Sequence, residues 1–147
     1  MEVEPSRTAH VDQPEQLARL DAELALAATT PRRLVQGDPV EVLPDAFARV
    51  PADALPVVIT TWTLSHVPPE SRLRFLHRLD QAAAARAVAW VSAEGVGVAP
   101  AIPTLGDRRA SGHSIVGLAV LDRAALRAEA VGRCWSQGRL LAWLADP

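Results

Sequence analysis

Apolar residues recur at Leu17, Leu20, Leu24 and Ala27, a spacing that predicts one amphipathic helix stopped by Pro31. Asp12 with Glu15 three residues later has the form of an N-cap and its return partner, and Pro14 suits a first turn. The preceding residues, 1–10, are polar and unpatterned and read as a loose tail. Arg33–Gln36 is a short apolar strand candidate closed by Gly37 and Asp38. Val40–Val50, bracketed by Pro39 and Pro51, reads as a helix that Pro44 splits into two pieces. Val57–Thr61 is β-branched or Thr at every position, the composition of a central strand buried on both faces of a parallel sheet. From Pro69 to Arg86, Phe75, Leu76, Leu79, Ala82 and Ala83 fall on one stripe, with Arg74, Arg78 and Gln81 away from it, so a helix there packs on a sheet.

Ala87–Ala93 is a third buried-strand candidate. A long loop follows through Gly95 and Gly97 to about His113, and its length marks it as a lid or a mobile segment. Ser114–Leu121, Leu126–Cys134 and Arg139–Leu144 are strand candidates joined by short turns, the second turn carrying Ser136, Gln137 and Gly138. Short connections imply antiparallel neighbours, whereas strands separated by helices demand crossovers and a parallel arrangement. The expected fold is therefore α/β: a mixed sheet flanked by helices, with an antiparallel meander at the end, in one domain over 11–147.

The chain has 147 residues, near the size of one domain. Hydrophobic residues make up 49%, but 27 of the residues are alanine, so the core carries little aromatic mass. All 15 basic residues are Arg, against 17 acidic ones. A net charge of −2 leaves no electrostatic footprint for nucleic acid or anionic lipid. The lone Cys134 excludes an internal disulfide framework, and neither a signal peptide nor an apolar run of membrane-spanning length is visible. A cytoplasmic location is expected.

The segments Gln13–Leu20, Leu34–Asp38, Trp62–Glu70, Ala89–Glu94 and Gly132–Leu144 together resemble the C-terminal part of a bacterial family known as domain of unknown function 2332, over about residues 11–145. That family is similar to S-adenosylmethionine-dependent methyltransferases in its Rossmann-like sheet. The resemblance implies that Asp38, at a strand end, contacts the adenine side of the cofactor. It also implies that Thr61 and Trp62, in the segment running on to Pro69, line the cofactor and substrate cleft. The first strand of the methyltransferase fold, its Gly-rich loop and the acidic tip of its second strand have no counterpart here. In that strand order their loss opens a gap of about three strand spacings, ~14 Å, between Arg33–Gln36 and Val57–Thr61. The expected repair is direct re-pairing of those two strands; the alternative is a second chain at the exposed sheet edge, a homo-oligomer or another partner. The implied product is a truncated methyltransferase-like domain without activity or cofactor as an isolated chain. S-adenosylmethionine chemistry on an unknown substrate would belong to a longer or assembled form.

Each candidate residue has a chemical and a structural reading. Asp38 could accept from a ribose or adenine, or cap the helix after Pro39. His66, beside a strand end, is the general-base candidate, or a loop histidine bonded to backbone. Glu94 ends a buried strand and is the second catalytic candidate, or a solvated or capping carboxylate. Gly95 and Gly97 lack the following helix start that a phosphate loop requires and read as a turn. Trp90 and Trp143 lie in strand candidates where packing is the default, and Cys134 behaves as a small hydrophobe. His10, His77 and His113 are too dispersed for a metal site.

Overall fold

Five strands form one open sheet in the order β1-β2-β3-β4-β5: β1 (Val57–Thr61), β2 (Val88–Gly95), β3 (Ser114–Asp122), β4 (Ala125–Trp135) and β5 (Leu140–Trp143). Only β1 and β2 are parallel; the remaining neighbours are antiparallel. The helices are α1 (Gln13–Thr29), α2 (Leu43–Phe47) and α3 (Pro69–Ala83), with 3-10 turns at Leu64–His66 and Arg109–Ser111. The computed structural model describes residues 13–31, 33–135 and 139–144. The expected tail, Asp12, the side chain of Glu15 and the Ser136–Gly138 turn lie outside them.

Residues 1–35 and 36–147 are two compact units. In the first, α1 has the expected extent. Its exposed Arg19 and Glu23 pair one turn apart, and Thr29 and Thr30 hydroxyls both donate to the Leu26 carbonyl, occupying an acceptor that the helix end leaves free.

In the second unit, α3 supplies the layer that covers the sheet. Pro69 sits in its first turn, and Ser71, Phe75, Leu79 and Ala83, four residues apart, are its buried stripe. Strand alternation puts Val88, Trp90, Ser92 and Glu94 of β2 on one face, and the register aligns them with Leu121, Ala119, Gly117 and Ile115 of β3. All eight are buried, and this is the face that α3 covers. Trp90 is the largest of the fully buried side chains. Its ring meets Phe75 edge-on at 5.1 Å, and its indole N–H donates to Thr60 Oγ1 at 3.1 Å, so the polar tip is satisfied inside the core. A Cβ on Gly117 would lie 2.6 Å from Ile102 Cγ2 and 2.8 Å from Ser92 Oγ, so glycine there admits the long loop after β2 onto the sheet.

Three expectations change. Val57–Thr61 is not a central strand: β1 is the sheet edge, and only Thr60 in it is buried. A β-branched run reports pleated backbone, not the number of neighbours. Arg33–Gln36 is not a strand, and β2 is the one neighbour β1 has among the described residues, so the expected re-pairing does not occur. Within Val40–Val50 only Leu43–Phe47 is α-helical, and Pro44 starts that helix instead of splitting it.

The β3–β4 connection is a two-residue turn in which Arg123 and Ala124 both have positive φ, 45° and 66°. Such turns match strand twist but favour Asn and Gly. Ala124→Gly is therefore expected to raise stability by about 1 kcal/mol, read as a higher urea midpoint at unchanged m-value; an unchanged or lower midpoint contradicts it.

Candidate functional site

In a sheet with parallel strands, loops at the strands' carboxyl ends converge on one edge, where ligands of open α/β folds bind. The carboxyl ends of β1 and β2 lie side by side, Thr61 in register with Ala93. The chain leaves β1 through Trp62, whose N–H still donates to the Ala93 carbonyl at 3.0 Å but whose φ is 55°. A left-handed non-glycine residue costs about 1 to 3 kcal/mol and persists only where its surroundings over-determine it.

The surroundings that do so are two side chains. Glu94, at 1% exposure, accepts from the backbone N–H of Leu64 at 3.0 Å and of Ser65 at 3.3 Å, and from the Ser65 hydroxyl at 3.2 Å. Arg72, in the first turn of α3, reaches back so that its Nε donates to the carbonyls of Leu64 and Val67, both at 2.9 Å. One turn is thus gripped through its donors by β2 and through its acceptors by α3. Leu64 beneath it is buried in the core. What the turn presents outward is His66, exposed, and Trp62, half exposed at 51%.

Of the sequence candidates, Thr61, Trp62, His66 and Glu94 therefore meet at one edge. Glu94 is buried and engaged by three donors, which makes it a positioning residue for the turn that carries His66. Asp38 does not cap a helix, since α2 starts at Leu43 with Val42 as its N-cap; its Oδ1 closes the turn before that helix, accepting from the N–H groups of Val40 at 2.8 Å and Glu41 at 3.2 Å. Glu41 in turn pairs with Arg74 and Arg78 on α3. Val98 N donates to Gly95 O at 2.9 Å, so the Gly95–Gly97 segment is a turn, as read.

A second polar cluster at the same sheet edge had no sequence signal. Asp107, in the loop between β2 and β3, takes a fork from Arg133 of β4 (2.6 and 3.2 Å) and meets His113 Nε2 at 2.9 Å. His113 also packs against Trp135, centroids 5.2 Å apart. The expected lid is therefore tied down at its far end. The Arg133 fork, followed by the His113 contact, holds the Asp107 carboxyl below its ordinary value of 3.8, and the same pairing raises Arg133.

Surface cavities of about 450 Å³ and 350 Å³ lie on the β3–β4 hairpin and between α2 and α3, and neither is lined by Trp62, His66 or Glu94. Among the described residues no group of His, Cys, Asp and Glu could hold a metal ion, and no helix is long and apolar enough to cross a membrane. The model of a family described as an uncharacterized protein conserved in bacteria, DUF2332, matches residues 9–143. No curated protein and no solved structure matches the chain.

Glu94→Gln replaces an acceptor oxygen with an amide that opposes the turn's own donors. Hydrogen exchange at Leu64 and Ser65 is expected to accelerate ~10-fold or more, since each unpaired buried group costs roughly 1 to 3 kcal/mol; unchanged protection refutes the clamp. For Asp107 the folded carboxyl releases its proton at lower pH than the unfolded one, so its contribution is present above the ordinary carboxylate value and is lost as pH falls through the folded value. The stability difference between wild type and Asp107→Asn should be constant at neutral pH and shrink below about pH 4. Parallel curves down to acid unfolding contradict this.

Proposed function

We propose, for a chain that belongs to the DUF2332 family of uncharacterised proteins conserved in bacteria, that it supplies one wall of a methyltransferase-like cleft and is not catalytic by itself. The observation that carries this reading is the strained Trp62 at the carboxyl end of the parallel pair β1 and β2, followed by a turn immobilised from two sides. Strain held in place by a buried carboxyl and a guanidinium serves to fix side chains whose position matters. The two it fixes are an indole with an open face, suited to stacking on a flat heterocycle, and an imidazole suited to taking a proton from an attacking group.

S-adenosylmethionine does not fit the residues described here. Its ribose hydroxyls need a free carboxylate acceptor; Glu94 is engaged by three donors, and Asp38 has Oδ1 committed to two backbone amides of its own turn. Among the described residues the glycine-rich cradle for the methionine end has no counterpart after a strand of this sheet. No methyl-transfer step is therefore derived for the isolated chain. In a longer or assembled form the second wall would bring the cradle, and Thr61, Trp62 and His66 would face it. That alternative reading, a methyltransferase of unknown substrate, is favoured by the exposure of Trp62 and His66, which a purely structural turn does not require.

Calorimetric titration of the isolated chain with S-adenosylmethionine is expected to give no binding heat, and indole fluorescence should not change. Micromolar affinity would overturn the single-wall reading. A lower affinity abolished by Trp62→Ala would move the conclusion to a complete site.

A further inference from the structure

Among the described residues the outer edge of β1 has no strand beside it. Ala89 N donates to Pro56 O and Trp62 N to Ala93 O, both at 3.0 Å, so alternate residues from Pro56 to Trp62 turn their backbone groups toward β2. By alternation Val57, Ile59 and Thr61 turn their N–H and C=O groups outward. Among the described residues the Thr61 carbonyl receives the Thr63 hydroxyl at 3.3 Å, and no other of these groups has a hydrogen-bond partner. The same three side chains lie on the sheet face opposite α3, with Val57 at 52% and Ile59 at 68% exposure. Natural edge strands are blunted by charge, proline or a bulge. β1, Val-Val-Ile-Thr-Thr, has none of these.

We propose that two copies of this chain pair through this edge, β1 antiparallel to β1 about a two-fold axis at Ile59. The proposal stands on the sheet alone and not on the cleft reading. The edge is its own complement. With the axis at Ile59, Val57 opposes Thr61 of the second copy and Ile59 opposes its counterpart. All three pairs then occupy the narrow positions of an antiparallel ladder, where opposed residues exchange two hydrogen bonds. No charged residue lies in the strand, so the two-fold places no like charges together. The contact is isologous and closes on itself, giving a dimer and not a filament. Opposed side chains share a face, so the exposed Ile59 pair packs together and the two sheets continue into one.

Light scattering of the full chain across a hundredfold dilution should show a monomer–dimer equilibrium. Ile59→Lys should weaken it roughly a hundredfold or more by setting like charges face to face, with circular dichroism unchanged. In a Cys134→Ser background, Ile59→Cys should cross-link as a covalent dimer on oxidation, which tests the register even if the lysine variant unfolds. A monomeric mass throughout overturns the proposal. So does a dimer that survives Ile59→Lys, fails to cross-link through Ile59→Cys, or is dissolved by Leu141→Lys on the opposite edge strand β5. A heterologous strand bound at this edge in place of a second copy would appear as a monomeric mass for the pure chain, and it too refutes the proposal.

Discussion

The carboxyl group of Glu94 is the fixed point around which the chain after β1 is organised. It is at the end of a strand inside the sheet, buried to 1% exposure, and it can stay there only because three donors converge on it. Two of those donors are backbone amides of a turn too short to satisfy them internally. The demand is mutual: a buried carboxyl without donors and a buried turn without acceptors are each costly, and together they remove both costs. Once the turn is pinned, the direction of Trp62 follows, because a chain that must leave β1 and arrive at Leu64 within three residues has no relaxed route.

The sheet imposes the complementary constraint. α3 covers one face only, and the residues of β2 and β3 on that face have the near-complete burial of a layer interior. On the opposite face Val57, Ile59 and Val120 remain exposed. A sheet covered on one side is common where strands are antiparallel, but a parallel pair is ordinarily buried on both. β1 has the composition of the second situation and the surroundings of the first, which is why its edge and its outer face both call for cover in the assembled protein.

Those same features explain what was legible in the sequence. The helical stripes of α1 and α3 and the later strands follow from periodicity within one element, and they stand with ends shifted by at most three residues. That Asp38 bonds to nearby backbone was legible for the same reason, its partners being two and three residues away, although they belong to a turn and not to a helix start. Edge against centre was not legible at Val57–Thr61, because composition reports the pleated backbone and not the neighbours. The β3–β4 turn uses Arg123 and Ala124 in a conformation that ordinarily advertises itself through Asn-Gly, so its type was hidden. Glu94 and its turn are about 30 residues apart, and Asp107 and Arg133 are 26 apart. Pairings across that separation exist only once the sheet has brought its loops together, so the candidates could be named as residue types but not as partners.

The two ends of the parallel pair show how this chain closes loops with few aromatic residues to pack them. At the carboxyl edge the unsatisfied groups are turn amides, and an acid, Glu94, takes them. At the amino edge the groups are carbonyls: Phe47 and Pro51, which also accept the Val50 and Ala54 amides, together with Val50 and Ala54 in the segment leading to β1. A base takes these, with Arg86 donating through Nη2 to Phe47 and Val50 and through Nη1 to Pro51 and Ala54. The sign of each side chain matches the half of the peptide group it meets, an acid for amides and a base for carbonyls, as Arg72 also does for the carbonyls of Leu64 and Val67. Arg86 lies two residues before β2 and Glu94 nearly ends it, so the two ends of one strand carry the fastening for both connections of its parallel neighbour. Polar anchors of this kind fix backbone without filling volume. The side chains at the carboxyl edge that take no part in the fastening, Trp62 and His66, are consequently held in place yet open to a partner or ligand, the combination that a functional surface requires.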